Sequence, residues 1–321
     1  MTEPAALDVH SHFLPSSYRA ALDRAGVERP DGFPYVPQWS AASAIALMDE
    51  IGIAAAVLSV SSPGVHFLPA AQRPALARTV NEEGAAAVAE HARRLGLFAS
   101  LPLPDVDAAL EEIAYARDSL DADGFVLMTN YDGVYLGDPQ LEPVMDELER
   151  REAIVALHPT TPAAADAVAL GRPRPMIEFM FDTTRAVVNL ILNGTLRSHP
   201  KLRVIVPHLG SALPAVADRV HIFANQLLVG EGEAVDVYAE LRELYFDVTG
   251  AALPNTLPGL LRIANPARIL YGSDTPFGPP QLIASGFHAL NETDVLDDAQ
   301  RRMIFSGNAH HLFPRFLPER S

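Results

Sequence analysis

Eight short apolar runs, each followed by a stretch with helical spacing, divide this chain from one end to the other. The runs cover residues 7–13, 55–61, 97–103, 124–129, 153–158, 203–208, 244–249 and 268–273. Most are continuously apolar, the pattern of strands in a parallel sheet covered on both faces. Helical segments fall at 40–51, 74–95, 106–119, 139–151, 176–198 and 212–228, with shorter ones at 254–263 and 281–290 and a closing helix at 297–312. Parallel neighbours need crossover connections, and these helices supply them. Eight βα units in 321 residues suit a closed (β/α)8 TIM barrel better than an open doubly wound sheet. No linker, low-complexity tract or repeat interrupts the series, so residues 1–321 read as a single α/β domain.

Composition agrees with a large core: 49% of residues are hydrophobic and only 20% are charged. A net charge of −16 argues against nucleic acid and anionic membrane as partners, since both repel an acidic surface. The chain has no cysteine, which removes disulfides, thiolate ligands and thiol nucleophiles together. With no basic leader and no long uncharged span, a cytoplasmic protein is expected.

The stretch "LDVHSHFLP" opens the first run. Residues i and i+2 of a strand share one face, so His10 and His12 point the same way, about 7 Å apart along it. The fifth run ends in "VALHP" with His158, the sixth in "VIVPHLG" with His208, and the eighth in "ILYGSDTPFG" with Asp274. A single histidine after an apolar run reads as a satisfied core residue. Four of the chain's 11 histidines and an aspartate at strand ends, all facing one barrel mouth, read as a metal centre. Three imidazoles and a carboxylate suit one divalent ion, zinc first, with manganese, iron or cobalt also compatible. His10, His12, His158 and Asp274 are the expected ligands. His208 is expected beside the metal, as a proton-transfer group or oxyanion donor.

These motifs are where a resemblance emerges. "DVHSHFLP", "LHP", "VPHLGSALP", "YGSDTPFG" and "GNAHHLF" together resemble the amidohydrolase superfamily over nearly the whole chain. Within it the chain resembles the branch typified by 2-amino-3-carboxymuconate-6-semialdehyde decarboxylase. The segment "FMFDTTRAVVNLILNGTLRSHPKLRVIVPHLG" is similar to 6-methylsalicylate decarboxylase-like proteins more than to hydrolytic branches. The resemblance implies metal binding by His10, His12, His158 and Asp274, proton transfer by His208, and a homodimer. Related γ-resorcylate decarboxylases begin with an ExH motif; here His10 stands in that place.

Binuclear amidohydrolases commonly bridge two metals through a carboxylated lysine at the end of strand four. Here that strand reads "GFVLMTN", and the chain's only lysine, Lys201, precedes the sixth run at the opposite face. One metal ion is therefore expected. Such a site serves either hydrolysis through a metal-bound hydroxide or non-oxidative decarboxylation through ring protonation. Ligand spacing does not separate the two, and the resemblance favours decarboxylation. A structural metal would have no use for His208 in an open mouth.

The expected partner is a small-molecule carboxylate. Phe13, Trp39, His66, Phe67, Tyr131 and Phe277 fall on top-face loops where they could wall an unsaturated ring. Trp39, the sole tryptophan, and Phe277 are the preferred aromatic contacts. His66 is a candidate donor to a substrate oxygen. Arg185 is a candidate bidentate partner for a carboxylate, against a salt bridge with Asp182 one turn earlier. Asp8 and Asp247 are read as buried supporting groups, with Asp274 and His208 as catalytic. Long connections at 14–39 and 159–175 are expected to wall the site or cover it.

Overall fold

The computed structural model describes residues 5–227 and 234–317. All eight predicted strands form: β1 Ala6–His12, β2 Ile53–Ser59, β3 Leu95–Ser100, β4 Gly124–Met128, β5 Ile154–His158, β6 Arg203–Val206, β7 Tyr245–Asp247 and β8 Ile269–Leu270. They lie in one sheet in sequence order, each parallel to the next. Bridges Asp8↔Tyr271 and Ser11↔Thr275 join the first strand to the segment of the last, which closes the barrel. The amide of Val9 donates to the Tyr271 carbonyl at 3.0 Å. Every residue of β1, β3 and β4 is buried, as continuous apolar runs require when helices cover the outside and side chains fill the lumen.

Several strands stop short of the predicted ends, and the reason is local. β8 ends at Leu270 because Gly272 passes so close to Thr249 and His10 that a Cβ there would lie 2.2 Å from Thr249 Oγ1. The chain then turns through Asp274 at φ +61. β6 ends before His208, Leu209 and Ser211, whose φ values of +55, +56 and +59 turn it out of the sheet. Non-glycine residues in this region cost about 1–3 kcal/mol each. Here they stand at the C-terminal rim.

The helices follow the apolar spacing with five corrections. Pro139–Leu141 and Glu142–Arg150, Thr256–Ile263 and Pro280–Glu292 lie where expected. The segment at 74–95 is helical as Arg73–Glu90, and Leu95 opens β3. The segment at 176–198 divides into Glu178–Leu192 and Thr195–Ser198, because Gly194 takes φ +75. The connection at 14–39 contains a helix, Ser16–Arg24, anchored by buried Tyr18, Ala21 and Leu22. A further helix, Val237–Glu243, is capped by Asp236, whose carboxylate accepts from the amides of Tyr238 and Ala239. The segment at 212–228 is Leu213–Ile222 continued by a π-helical turn, Phe223–Leu227; Leu228 lies outside the described residues. Among the described residues, no helix is long and apolar enough to cross a membrane.

Candidate active site

The barrel brings His10, His12, His158, His208 and Asp274 together at the C-terminal ends of its strands. Ring centroids of His10 and His12 are 4.9 Å apart, those of His12 and His158 5.0 Å, and those of His10 and His208 5.1 Å. The possible ligand atoms of His10, His12 and His158 all lie within 4.8 Å of one another. Asp274 Oδ1 is 3.1 Å from His12 Nε2 and 3.8 Å from His10 Nε2.

Each of the three imidazoles is held from behind through Nδ1. His10 Nδ1 donates to Asp247 Oδ2 at 2.8 Å, and His158 Nδ1 to the Pro159 carbonyl at 2.7 Å. His12 Nδ1 lies 3.0 Å from Ser59 Oγ and 3.3 Å from its carbonyl. With the proton on Nδ1, each ring presents a bare Nε2 to the centre, the tautomer a metal ligand needs. His10 and His12 then face each other Nε2 to Nε2 at 3.1 Å. Two lone pairs at that distance repel unless positive charge stands between them, a proton on His10 in the metal-free protein or a cation that replaces it. The residues present therefore fit a divalent cation: His10, His12, His158 and Asp274 would hold it.

Electrostatics point the same way. Burial opposes a charge on His10, but Asp247, Asp274 and Asp8 outweigh it and push its pKa up to about 9. Burial would raise Asp274, yet His12, His208 and His10 hold its carboxyl well below the usual range. Burial lowers His12, and burial with three neighbouring imidazoles drives His158 well below an ordinary histidine. Behind this layer, Asp8 accepts from the amides of His10 and Ser273 and from the Ser273 hydroxyl, at 3.0, 3.1 and 2.5 Å. It ties the first strand to the turn that carries Asp274, and its burial raises its own pKa to about 7.

His208 stands at the edge of the cluster. Its Nε2 is 3.9 Å from Asp274 Oδ2, and its amide donates to Asp247 Oδ1 at 2.9 Å. Asp247 thus steadies His10 with one oxygen and the His208 turn with the other. His10 outweighs burial to keep the Asp247 carboxyl below its usual pKa.

In front of these residues opens a cavity of about 420 Å³, within the range for small-molecule sites. Its apolar wall includes Phe33, Phe179, Met180 and Phe277; Phe277 packs edge-on against His12 and Phe33, both at 5.4 Å. Both long connections contribute, through Asp31 and Phe33 of the first and Pro175 of the second. They are joined by a hydrogen bond from the Thr161 hydroxyl to Asp31.

Of the four expected substrate contacts, only Phe277 lines this cavity. Trp39 packs edge-on against buried Phe13 at 5.7 Å, filling space behind the first strand. His66 is turned away, with ring nitrogens 3.1 Å and 2.7 Å from the carbonyls of Pro63 and Leu103. Arg185 is exposed on the outer helix, where Nη1 donates to Tyr135 Oη at 3.0 Å and lies 3.4 Å from Asp182. Asp182, fully buried, also accepts from Thr129 and Asn130, so the salt bridge is the role the geometry assigns to Arg185. Phe13 and Tyr131 are core residues, and Phe67 packs on Tyr18 at 5.7 Å. Sequence reasoning missed Asp31, Phe33, Ser211 and Thr249. Thr249 closes the seventh apolar run and Ser211 lies three residues past the sixth, and that position was their one legible signal.

The amidohydrolase family model matches residues 7–315. The chain belongs to the amidohydrolase family. This amidohydrolase is 35% identical over 316 residues to a 6-methylsalicylic acid decarboxylase of Penicillium expansum, covering 97% of each chain. A crystal structure of an amidohydrolase II shares 38% identity with a TM-score of 0.91, over 97% of this chain and all of that one. The crystal structure of a 2,6-dihydroxybenzoate decarboxylase complexed with 2,6-dihydroxybenzoate shares 26% identity with a TM-score of 0.80, over 98% and 100% of the two chains.

Proposed function

We propose that this amidohydrolase is a metal-dependent, non-oxidative decarboxylase of a small hydroxylated aromatic carboxylic acid of the 6-methylsalicylate type. The observation that carries the metal centre is the Nε2-to-Nε2 approach of His10 and His12, each held from behind through Nδ1. The likeness to a 6-methylsalicylic acid decarboxylase over nearly the full length of both chains supports decarboxylation over hydrolysis of an amide, lactone or ester. A cavity with an aromatic wall supports a flat ring as its occupant.

When bound, a divalent cation at this centre supplies an electrophile that binds and polarises substrate oxygens. The remaining work belongs to the side chains. Phe277 and Phe33 hold the ring at the mouth. His208 delivers a proton to the ring carbon that bears the carboxylate, the carbon–carboxylate bond breaks, and its electron pair returns to the ring as CO2 leaves. Asp274, held anionic by its histidine neighbours, serves as metal ligand and as the charge that steadies a protonated His208. Their 3.9 Å separation is long for a hydrogen bond, as catalytic contacts often are before substrate binds.

The ion we assign is zinc, one per chain, from the borderline character of three imidazoles with one carboxylate; manganese, iron and cobalt accept the same donors. The single-domain reading of residues 1–321, a cytoplasmic location and a homodimer belong to this proposal. Exposed Val168, Leu170, Met176, Ile177 and Phe181, in the second long connection and the helical segment that follows it, support the dimer. Light scattering at working concentration tests it, with twice the chain mass expected. The function is tested by CO2 release from a panel of hydroxybenzoates and carboxymuconate semialdehydes, with metal-loaded protein. Release from salicylate-type acids is expected. Turnover of amides, lactones or esters alone would reject the proposal.

A further inference from the structure

A second cavity, of about 370 Å³, lies between the segment that follows β7 and the helix Pro280–Glu292. Gly250, Ala251 and Asp274 line both this cavity and the one in front of the histidines, so the two adjoin at Asp274. The rest of its wall is apolar. Ala252 and Leu253 stand on the β7 side, with Leu282, Ile283, Phe287 and Leu290 on the β8 side. Among the described residues, Asp274 is the only charged one on this lining. The boundary between the cavities is made of small groups. Gly250 has no side chain and Ala251 only a methyl, and a Cβ added at Gly250 would meet no atom within 4 Å. A Cβ added at Gly286, on the helical wall, likewise meets none. Leu282 belongs to this wall and is 66% exposed, so apolar surface there is left without a cover.

We infer that this second cavity holds an alkyl chain on the substrate ring, at the carbon next to the one that bears the carboxylate. The inference rests on the decarboxylase reading and deepens it by naming the substrate class: salicylates with a chain of several carbons at the 6-position. Position follows from Asp274. The substrate's carboxylate and its neighbouring hydroxyl are drawn to the centre that includes Asp274, and Asp274 also borders the second cavity. The free ring carbon beside the carboxylate is therefore the one nearest that border. Chemistry follows from the lining. A wall without a charge beyond Asp274 gains from burying methylenes and offers nothing to an ionic or strongly polar substituent. The ring itself stays against Phe277 and Phe33, in a cavity that already has room for it.

The test is a series of 6-alkylsalicylates, from methyl to pentyl, titrated into zinc-loaded protein by calorimetry. Affinity is expected to rise about three- to fourfold for each added methylene. Gly286→Leu fills the cavity from an exposed helical position, where leucine also favours the helix over glycine. Leu282→Glu sets a charge on the same wall. Each variant is expected to bind 6-methylsalicylate within about twofold of the parent and to lose the advantage of the pentyl compound. Affinity that is flat or falls with chain length in the parent overturns the inference. So does a pentyl advantage that survives both variants, including the case in which Leu282→Glu changes only the oligomeric mass and so assigns the groove to a second copy. Where one variant does not fold, the other decides. CO2 release is followed in parallel. Release without a gain from chain length rejects this inference alone, and a gain in binding without release rejects the decarboxylase reading alone.

Discussion

Asp247 Oδ2 accepts from His10 Nδ1 at 2.8 Å, while the other oxygen of the same carboxylate accepts from the His208 amide at 2.9 Å. One buried carboxylate therefore sets the tautomer of the proposed metal ligand and the position of the proposed proton donor. Asp247→Asn keeps the shape but loses the charge and the certainty of the His10 tautomer. Metal affinity is expected to fall about 10- to 100-fold, measured by competition with a chelator. An unchanged affinity would remove Asp247 from the centre.

The carboxylates around His10 raise its pKa to about 9, so the metal-free protein carries a proton there at neutral pH. That proton must leave before Nε2 can bind a cation. Metal loading at pH 7 is expected to release roughly one proton per ion, read by calorimetry in buffers of different ionisation enthalpy. Apparent affinity should rise with pH as it climbs toward 9 and level off above it. A pH-independent affinity between 6 and 8 would contradict this charge state.

His208 lies outside the ligand shell in this account. His208→Ala is expected to retain about one metal ion per chain and to lose at least ~100-fold in kcat. Loss of the metal along with activity would place His208 among the ligands.

Arg185→Gln addresses the corrected contact. Because Arg185 pairs with Tyr135 and Asp182 on the outer helix, KM for an aryl acid is expected to stay within about twofold of the parent. The cost should appear as a small drop in Tm, since Arg185 is half exposed and buried Asp182 keeps Thr129, Asn130 and Tyr135 as donors. A tenfold rise in KM would return Arg185 to the substrate.

The barrel and the cluster of histidines and aspartate at its rim were legible in the sequence for the same reason. A parallel sheet covered on both faces writes each strand as an uninterrupted apolar run, so a histidine or aspartate closing the run marks the rim. His10, His12, His158, His208 and Asp274 all stood at such ends. Substrate contacts carried no comparable signal. Trp39 and His66 sit in loops that fold back onto the core, and nothing in their local pattern distinguishes a wall residue from packing. Asp31 and Phe33 reach the cavity because the loop at 14–39 is held by the Ser16–Arg24 helix and by Thr161, a contact 130 residues away in sequence. The break at Gly194 was readable as a residue but not as a stop, since apolar spacing continues on both sides of it.

The most direct test of the central claim is turnover of a hydroxylated aryl acid by metal-loaded protein in D2O, with product analysed by mass spectrometry and NMR. Decarboxylation at this centre replaces the carboxylate by a solvent-derived hydrogen, so one deuterium is expected at the ring carbon that lost CO2, with CO2 released in equal amount. The same reaction in ¹⁸O-water should leave the organic product without label. A product carrying ¹⁸O in a new carboxylate, with no deuterium on carbon, would contradict the account and assign this centre to hydrolysis.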